Sequence, residues 1–160
     1  MATEPMVVIV MGSELDRKVM AGAEDQLIKF GVSFETRVIS AHRTPDLLAE
    51  YAQTLKSRNV KVVIAGASLS AALPGVLAAY LPTIPVIGVP IVQPDSVLGG
   101  QDALYSIVQM PPGVPVACVG INNAHNAAVM ATQIMSLVYS GLVDELKKNR
   151  TEMAVKHGSV

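Results

Sequence analysis

Phe34-Glu35-Thr36-Arg37-Val38-Ile39, followed at once by Ser40-Ala41-His42-Arg43-Thr44-Pro45-Asp46, carries the chain out of a strand and into a helix. Thr44 is a good N-cap, Pro45 suits the first helical position, and Asp46 stands where the helix dipole favours negative charge. Local structure therefore accounts for Thr-Pro-Asp. It does not account for Ser40-Ala41-His42-Arg43. That run sets an imidazole beside a guanidinium at the carboxyl end of a strand, the edge at which open α/β sheets take their ligands. A solvated loop would use the same residues, so the reading depends on what else reaches that edge.

The same unit recurs along the chain. Met6 to Met11 is a continuous apolar run, ended by Gly12-Ser13, and a helix is expected from about Asp16 to Phe30. Its inner face holds Val19, Met20, Ala23, Leu27 and Phe30, and Gly31 closes it. The helix from Pro45 to about Arg58 turns Leu47, Leu48, Tyr51 and Leu55 inward. Val60 to Ala65 is the third strand, with Gly66-Ala67-Ser68 turning out of it. A short helix spans Ala71 to Tyr80, and Pro85 to Val89 is the fourth strand. A helix from Asp102 to Gln109, a strand from Val114 to Ile121 and a helix from Asn122 or Asn123 to about Tyr139 complete the alternation. Strands that are unbroken apolar runs, alternating with helices, mean a parallel sheet covered on both faces. The expected fold class is α/β: a three-layer α/β/α sandwich of the flavodoxin-like or Rossmann-like type. Residues 1–160 are read as a single domain, with a core from about 6 to 140, a last helix over about 142–154 and a disordered tail at 155–160.

Charge is distributed unevenly. Net charge is −1 and aromatic content is 4%, with no Trp. Neither a broad electrostatic pull toward nucleic acid or an anionic membrane nor a base-stacking platform is expected. Between Val62 and Val143 the only charged residues are Asp95 and Asp102. Ala71 to Val92 is uncharged and long enough to cross a bilayer, but Pro74, Pro82, Pro85 and Pro90 would break a spanning helix. Helices that are apolar all round are buried ones. The uncharged half is therefore expected to lie between subunits of a homo-oligomer with extensive interfaces. The lone cysteine, Cys118, reads as a buried, reduced strand thiol. The N-terminus, with Glu4 and Pro5, shows no signal peptide, and the expected location is cytoplasmic.

Three strand ends carry candidate loops. In the first, Gly12 lets a ligand approach the backbone, Ser13 and the amides opening the helix suit a phosphate, and Asp16 could cap the helix or bind a ribose hydroxyl. Neither the Walker loop nor the dinucleotide fingerprint is present. In the second, His42 can give and take a proton near neutral pH, and Arg43 offers a fork for phosphate or carboxylate. In the third, the small residues from Gly66, Ala67 and Ser68 to Gly75 could form an anion pocket or simply allow close helix–sheet packing. Leu98-Gly99-Gly100 could act as a flap or be a plain surface turn. His42, His125 and His157 have no metal-ligand spacing, so no metal site is expected.

Taken together, these segments resemble one family. Val10-Met11-Gly12-Ser13 with Asp16, Ser40-Ala41-His42-Arg43-Thr44-Pro45-Asp46, Ile64-Ala65-Gly66-Ala67 with Leu73-Pro74-Gly75, Pro85 to Pro90 and Tyr105-Ser106-Ile107-Val108-Gln109-Met110-Pro111 follow the PurE pattern in order. That family comprises the N5-carboxyaminoimidazole ribonucleotide mutases of purine biosynthesis. The resemblance spans about Val7 to Leu137. It implies a flavodoxin-like octamer with sites at subunit contacts, a small ribonucleotide substrate, no metal and no organic cofactor. It also implies a reaction that moves a carboxylate from the exocyclic nitrogen to ring carbon C4.

On that resemblance His42 is the proton shuttle. Gly12, Ser13, Asp16, Ser40 and Arg43 hold the ribose phosphate, with Ala41 between them. Gly66, Ala67 and Ser68 enclose CO2 or carboxylate, and Leu98-Gly99-Gly100 closes the pocket. The chain departs from the pattern in a longer loop after Pro90, in a shorter segment around Asn122 and, above all, in its third segment. Where the family reads Gly-Gly-Ala-Ala-His before Leu-Pro-Gly, this chain reads Ser68-Leu69-Ser70-Ala71-Ala72, so the family's second His is Ala72. A related branch carboxylates aminoimidazole ribonucleotide directly with CO2. Arg43 and Pro45 favour the mutase over that branch, and a non-catalytic nucleotide-binding module is the reading from another class.

Overall fold

The computed structural model describes residues 6–158. Five strands form one parallel sheet: β1 (Val7–Met11), β2 (Phe34–Val38), β3 (Val62–Ser68), β4 (Val86–Ile91) and β5 (Ala117–Cys118). Their order is β2-β1-β3-β4-β5, so the chain reverses direction across the sheet between β1 and β3. In a doubly wound sheet a crevice opens at the carboxyl ends of the strands beside that reversal.

Six helices cover the two faces: α1 (Arg17–Lys29), α2 (Pro45–Lys56), α3 (Leu73–Tyr80), α4 (Gln101–Val108), α5 (Ala124–Ser136) and α6 (Gly141–Lys156). The alternation of side chains along β1 divides the core. Val7, Ile9 and Met11 pack with Met20, Ala23 and Leu27 of α1 and the alanines of α5, whereas Val8 and Val10 pack with Leu48, Leu55, Leu77 and Ile107 from α2, α3 and α4. Leu142 and Leu146 of α6 lie against the first layer. Unbroken apolar strands thus have a helix layer on each side, as the sequence pattern predicts.

Several boundaries differ from the sequence expectation. β3 runs on through Gly66 and Ala67 to Ser68, because Ala67 and Ser68 stay in register with Pro90 and Ile91. β5 shrinks to Ala117–Cys118, since it is an edge strand and Pro111, Pro112 and Pro115 before it lack backbone donors. Its Cys118 is half-buried rather than buried. Leu47 is exposed, because the stripe Leu48, Ala52 and Leu55 takes the inner face of α2. The last helix reaches Lys156, two residues beyond the expected end. Residues 159–160 of the expected tail lie outside the described residues. Asn123 is the N-cap of α5, its side chain accepting from the Asn126 amide at 3.1 Å.

Candidate functional site

A cavity of about 470 Å³ opens at the carboxyl edge of the sheet, beside the β1–β3 reversal. Ser13, Leu15, Arg43, Ser68, Leu69, Gln93, Asp95, Val97, Leu98 and Asp102 line it. The loops after β1, β2, β3 and β4 therefore all reach one place.

The loop after β1 forms the floor. Just past β1, Gly12 donates its amide to the Gly66 carbonyl at 3.1 Å. Ser13 is extended and its hydroxyl accepts from the Leu15 amide at 3.2 Å, starting the short 3-10 turn Glu14–Asp16. Asp16 follows at the N-cap position of α1, but its side chain caps nothing. It is 1% exposed, and its Oδ1 accepts from Gln93 Nε2 at 2.8 Å. Burial pushes its pKa above the ordinary carboxylate value. Hydrogen bonds from Gln93 and Ser68, the Ser13 backbone and the charge of Arg43 all oppose that rise.

The loop after β2 is a tight turn. Ser40 Oγ accepts from the Arg43 amide at 3.1 Å, and the Ser40 carbonyl accepts from both the amide and the hydroxyl of Thr44 at 3.0 Å. Thr44 thus occupies the N-cap position of α2 while its hydroxyl turns back to Ser40, and Pro45 fills the first turn as expected. Arg43 faces the cavity and makes no ion pair among the described residues, so its fork is available to an anion. His42, beside it, is exposed and is not among the residues lining the cavity.

The third segment divides. Gly66 and Ala67 lie inside β3, with Gly66 between β1 and β4. A Cβ on Gly66 would stand 2.3 Å from Met20 Sδ, so this glycine admits α1 against the sheet. Ser68 is the residue of the three that lines the cavity, and its hydroxyl reaches Asp16. Leu69 then takes a left-handed φ of 58°. That conformation costs a residue with a Cβ roughly 1–2 kcal/mol, and such strain gathers at ligand sites. Leu98 reaches the cavity, whereas Gly99 and Gly100 turn the chain with φ of 59° and 86°.

Sequence reasoning missed Leu15, Leu69, Gln93, Asp95, Val97 and Asp102. Two of these carried a signal: Asp95 and Asp102 are the only charges between Val62 and Val143, and both line the cavity. A lone charge in an apolar stretch marks a place where a ligand or water must meet it. Among the described residues no group of His, Cys, Asp and Glu is placed to hold a metal ion. Among the described residues no helix is long and apolar enough to cross a membrane.

The family model for AIR carboxylase matches residues 6–156, nearly the whole chain. The chain belongs to the AIR carboxylase family. Within it, the chain is 54% identical over 149 residues to a protein of Pyrococcus abyssi named N5-carboxyaminoimidazole ribonucleotide mutase, covering 93% of this chain and 84% of that one. It is 53% identical over 136 residues to the protein of the same name from Aquifex aeolicus, covering 85% and 80%. The crystal structure of Treponema denticola PurE superposes with a TM-score of 0.84 at 28% identity, over 97% of this chain and 95% of that one. The fold described above thus recurs in that solved structure.

Proposed function

We infer that the chain is an N5-carboxyaminoimidazole ribonucleotide mutase, an isomerase of purine biosynthesis. The observation that carries this reading is the extent of the likeness to mutases: more than half of the aligned residues are identical, over 93% and 85% of this chain and 84% and 80% of the two relatives.

The chemistry fits the site. The nitrogen–carboxyl bond of the substrate breaks, its electron pair remains on nitrogen, and CO2 is held beside the ring. C4 attacks the CO2 carbon and still carries its hydrogen. One proton must then leave C4, and the exocyclic nitrogen must gain one, so the atoms balance without a co-reactant. An imidazole suits both transfers, which makes His42 the proposed shuttle. Arg43 and the Ser13 loop would grip the phosphate, with Gly12 and Ser40 shaping that end, and Asp16 would take the ribose hydroxyls. Ser68, at the end of the Gly66-Ala67-Ser68 run, would face the CO2. The exposed apolar side chains of Leu15, Leu69, Val97 and Leu98 at the rim suit a cover that keeps water out.

His42 stands on an exposed turn, so the reading seats it in a site completed by a neighbouring subunit. A homo-octamer of the PurE kind, in the cytoplasm, is the assembly we propose. Exposed Leu137 and Val138, 85% and 78% accessible in the single chain, support burial between subunits.

Two assays test the activity. N5-carboxyaminoimidazole ribonucleotide at low bicarbonate should give 4-carboxy-5-aminoimidazole ribonucleotide rapidly, and aminoimidazole ribonucleotide with saturating CO2 should give it slowly. Fast turnover in the second assay would instead make the chain a direct carboxylase. Turnover in neither would leave a binding module.

A further inference from the structure

Gln93 makes the hydrogen bond that joins the floor of the cavity to its wall. Its Nε2 donates to Asp16 Oδ1 at 2.8 Å, across 77 positions of chain. Asp16 is buried and caps no helix, and its carboxyl group packs beside Gly12, where a Cβ would meet Asp16 Oδ2 at 3.8 Å. Oδ1 is thus engaged by Gln93, and hydrogen bonds from the Ser68 hydroxyl and the Ser13 backbone also reach the carboxylate.

The segment that carries Gln93 is anchored at its base. The Val92 amide donates to Asn122 Oδ1 at 2.9 Å, and the Asn122 amide donates to the Pro90 carbonyl at 2.8 Å, with Asn122 in the left-handed region at φ 57°. Beyond Gln93 the same segment supplies Asp95, Val97 and Leu98 to the cavity before Gly99 and Gly100 turn it into α4. Gln93 therefore ties this segment to Asp16 on the loop after β1.

We propose that Gln93 is a positioning residue: it aims the Asp16 carboxylate at the hydroxyl pair of a ribose and, through the same bond, seats the 92–100 segment over the bound nucleotide. The proposal rests on the ribonucleotide reading of the site. It follows from what each group can do. A buried carboxylate that must accept from two vicinal hydroxyls needs its remaining lone pairs occupied by fixed donors, or it rotates and takes up a proton. A neutral amide does this without adding charge. A carboxylate in its place would work only while one proton is shared between the two groups.

Gln93→Glu exploits that difference. The charged groups around the pair are Asp16 itself, Arg43 from the turn before α2, Asp95 from the segment and Asp102 from α4, while Glu14 and Arg17 pair with each other on the outer surface. At mildly acidic pH the shared proton restores a donor at position 93. As pH rises the pair ionises, the two carboxylates repel, and both the ribose contact and the segment are released.

The experiment measures kcat and KM for N5-carboxyaminoimidazole ribonucleotide, and calorimetric binding of the product nucleotide, for the wild type, Gln93→Glu, Gln93→Met and Gln93→Ala across mildly acidic to mildly alkaline pH. Relative to the wild type, kcat/KM of Gln93→Glu should fall about tenfold or more with rising pH, mostly through KM, as expected for losing a hydrogen bond to a charged group. Gln93→Met and Gln93→Ala should be weaker by about the same factor at every pH. Unchanged melting of Gln93→Met would show that the loss is not one of folding. A flat Gln93→Glu to wild-type ratio, or binding within twofold for Gln93→Met, would overturn the proposal. If the wild type binds the nucleotide without turning it over, the mutase reading falls and the binding data still decide the role of Gln93. If it binds no ribonucleotide, both fall.

Discussion

His42 and Arg43 are joined by one peptide bond yet meet different surroundings. Arg43 faces the cavity, and His42 is exposed beside it. An exposed His contributes little to folding, so its removal separates chemistry from stability. His42→Asn should melt and assemble like the wild type and lose about 10²–10⁴-fold in kcat. Turnover within tenfold of the wild type would remove His42 as the proton shuttle. Single residues differ in how readable they were. His42, Arg43, Ser13 and Ser68 stand at strand ends, and a strand end is visible as the last apolar residue before a turn. Gln93 was not readable, because its partner Asp16 is brought to it only by the pairing of β1, β3 and β4. Nothing local marks Leu69 as left-handed either, since that conformation is imposed by Ser68 staying in the sheet while Ala71 and Ala72 turn toward α3.

At the scale of elements, the turn that carries His42 and Arg43 is held from both sides by one ionic cluster. Glu35 on β2 accepts from the Tyr51 hydroxyl of α2 and from both terminal nitrogens of Arg58, at 2.9 and 2.7 Å, with Arg37 at 3.8 Å. The Arg58 hydrogen bonds, with those of Tyr51 and the nearby cationic charges, hold Glu35 well below the usual carboxylate range, at about 2 against a model-peptide 4.5. Because the folded value lies below the unfolded one, the stabilisation is present in full above the ordinary carboxylate range. It is lost as pH falls from about 4.5 toward 2. Glu35→Gln should therefore lower the melting temperature at neutral pH and flatten the acid limb of the stability profile. Parallel acid limbs for the two proteins would show that the cluster does not bind β2 to α2. The alternation of apolar runs and helical stripes made the order of these elements readable. Their ends were less so, because β3 lengthens and β5 shortens according to what the neighbouring strand offers, which no local stretch encodes.

At the scale of the molecule, the charge-poor half leaves Leu137, Val138, Tyr105 and Val108 exposed at 85%, 78%, 59% and 50%. So many large apolar side chains in water support the proposed subunit interface. Sedimentation should show a large closed assembly with no monomer at micromolar concentration, and a stable monomer there would contradict the interface and the shared site built on it. The central claim is that the carboxylate travels from nitrogen to carbon inside one closed site. Its most direct test is to supply N5-carboxyaminoimidazole ribonucleotide labelled with carbon-13 in the carboxylate, in unlabelled bicarbonate, and to weigh the product by mass spectrometry during the first turnovers. The account predicts that the product keeps the label. Product carrying mostly unlabelled carboxylate would mean that CO2 enters from solution, and would contradict it.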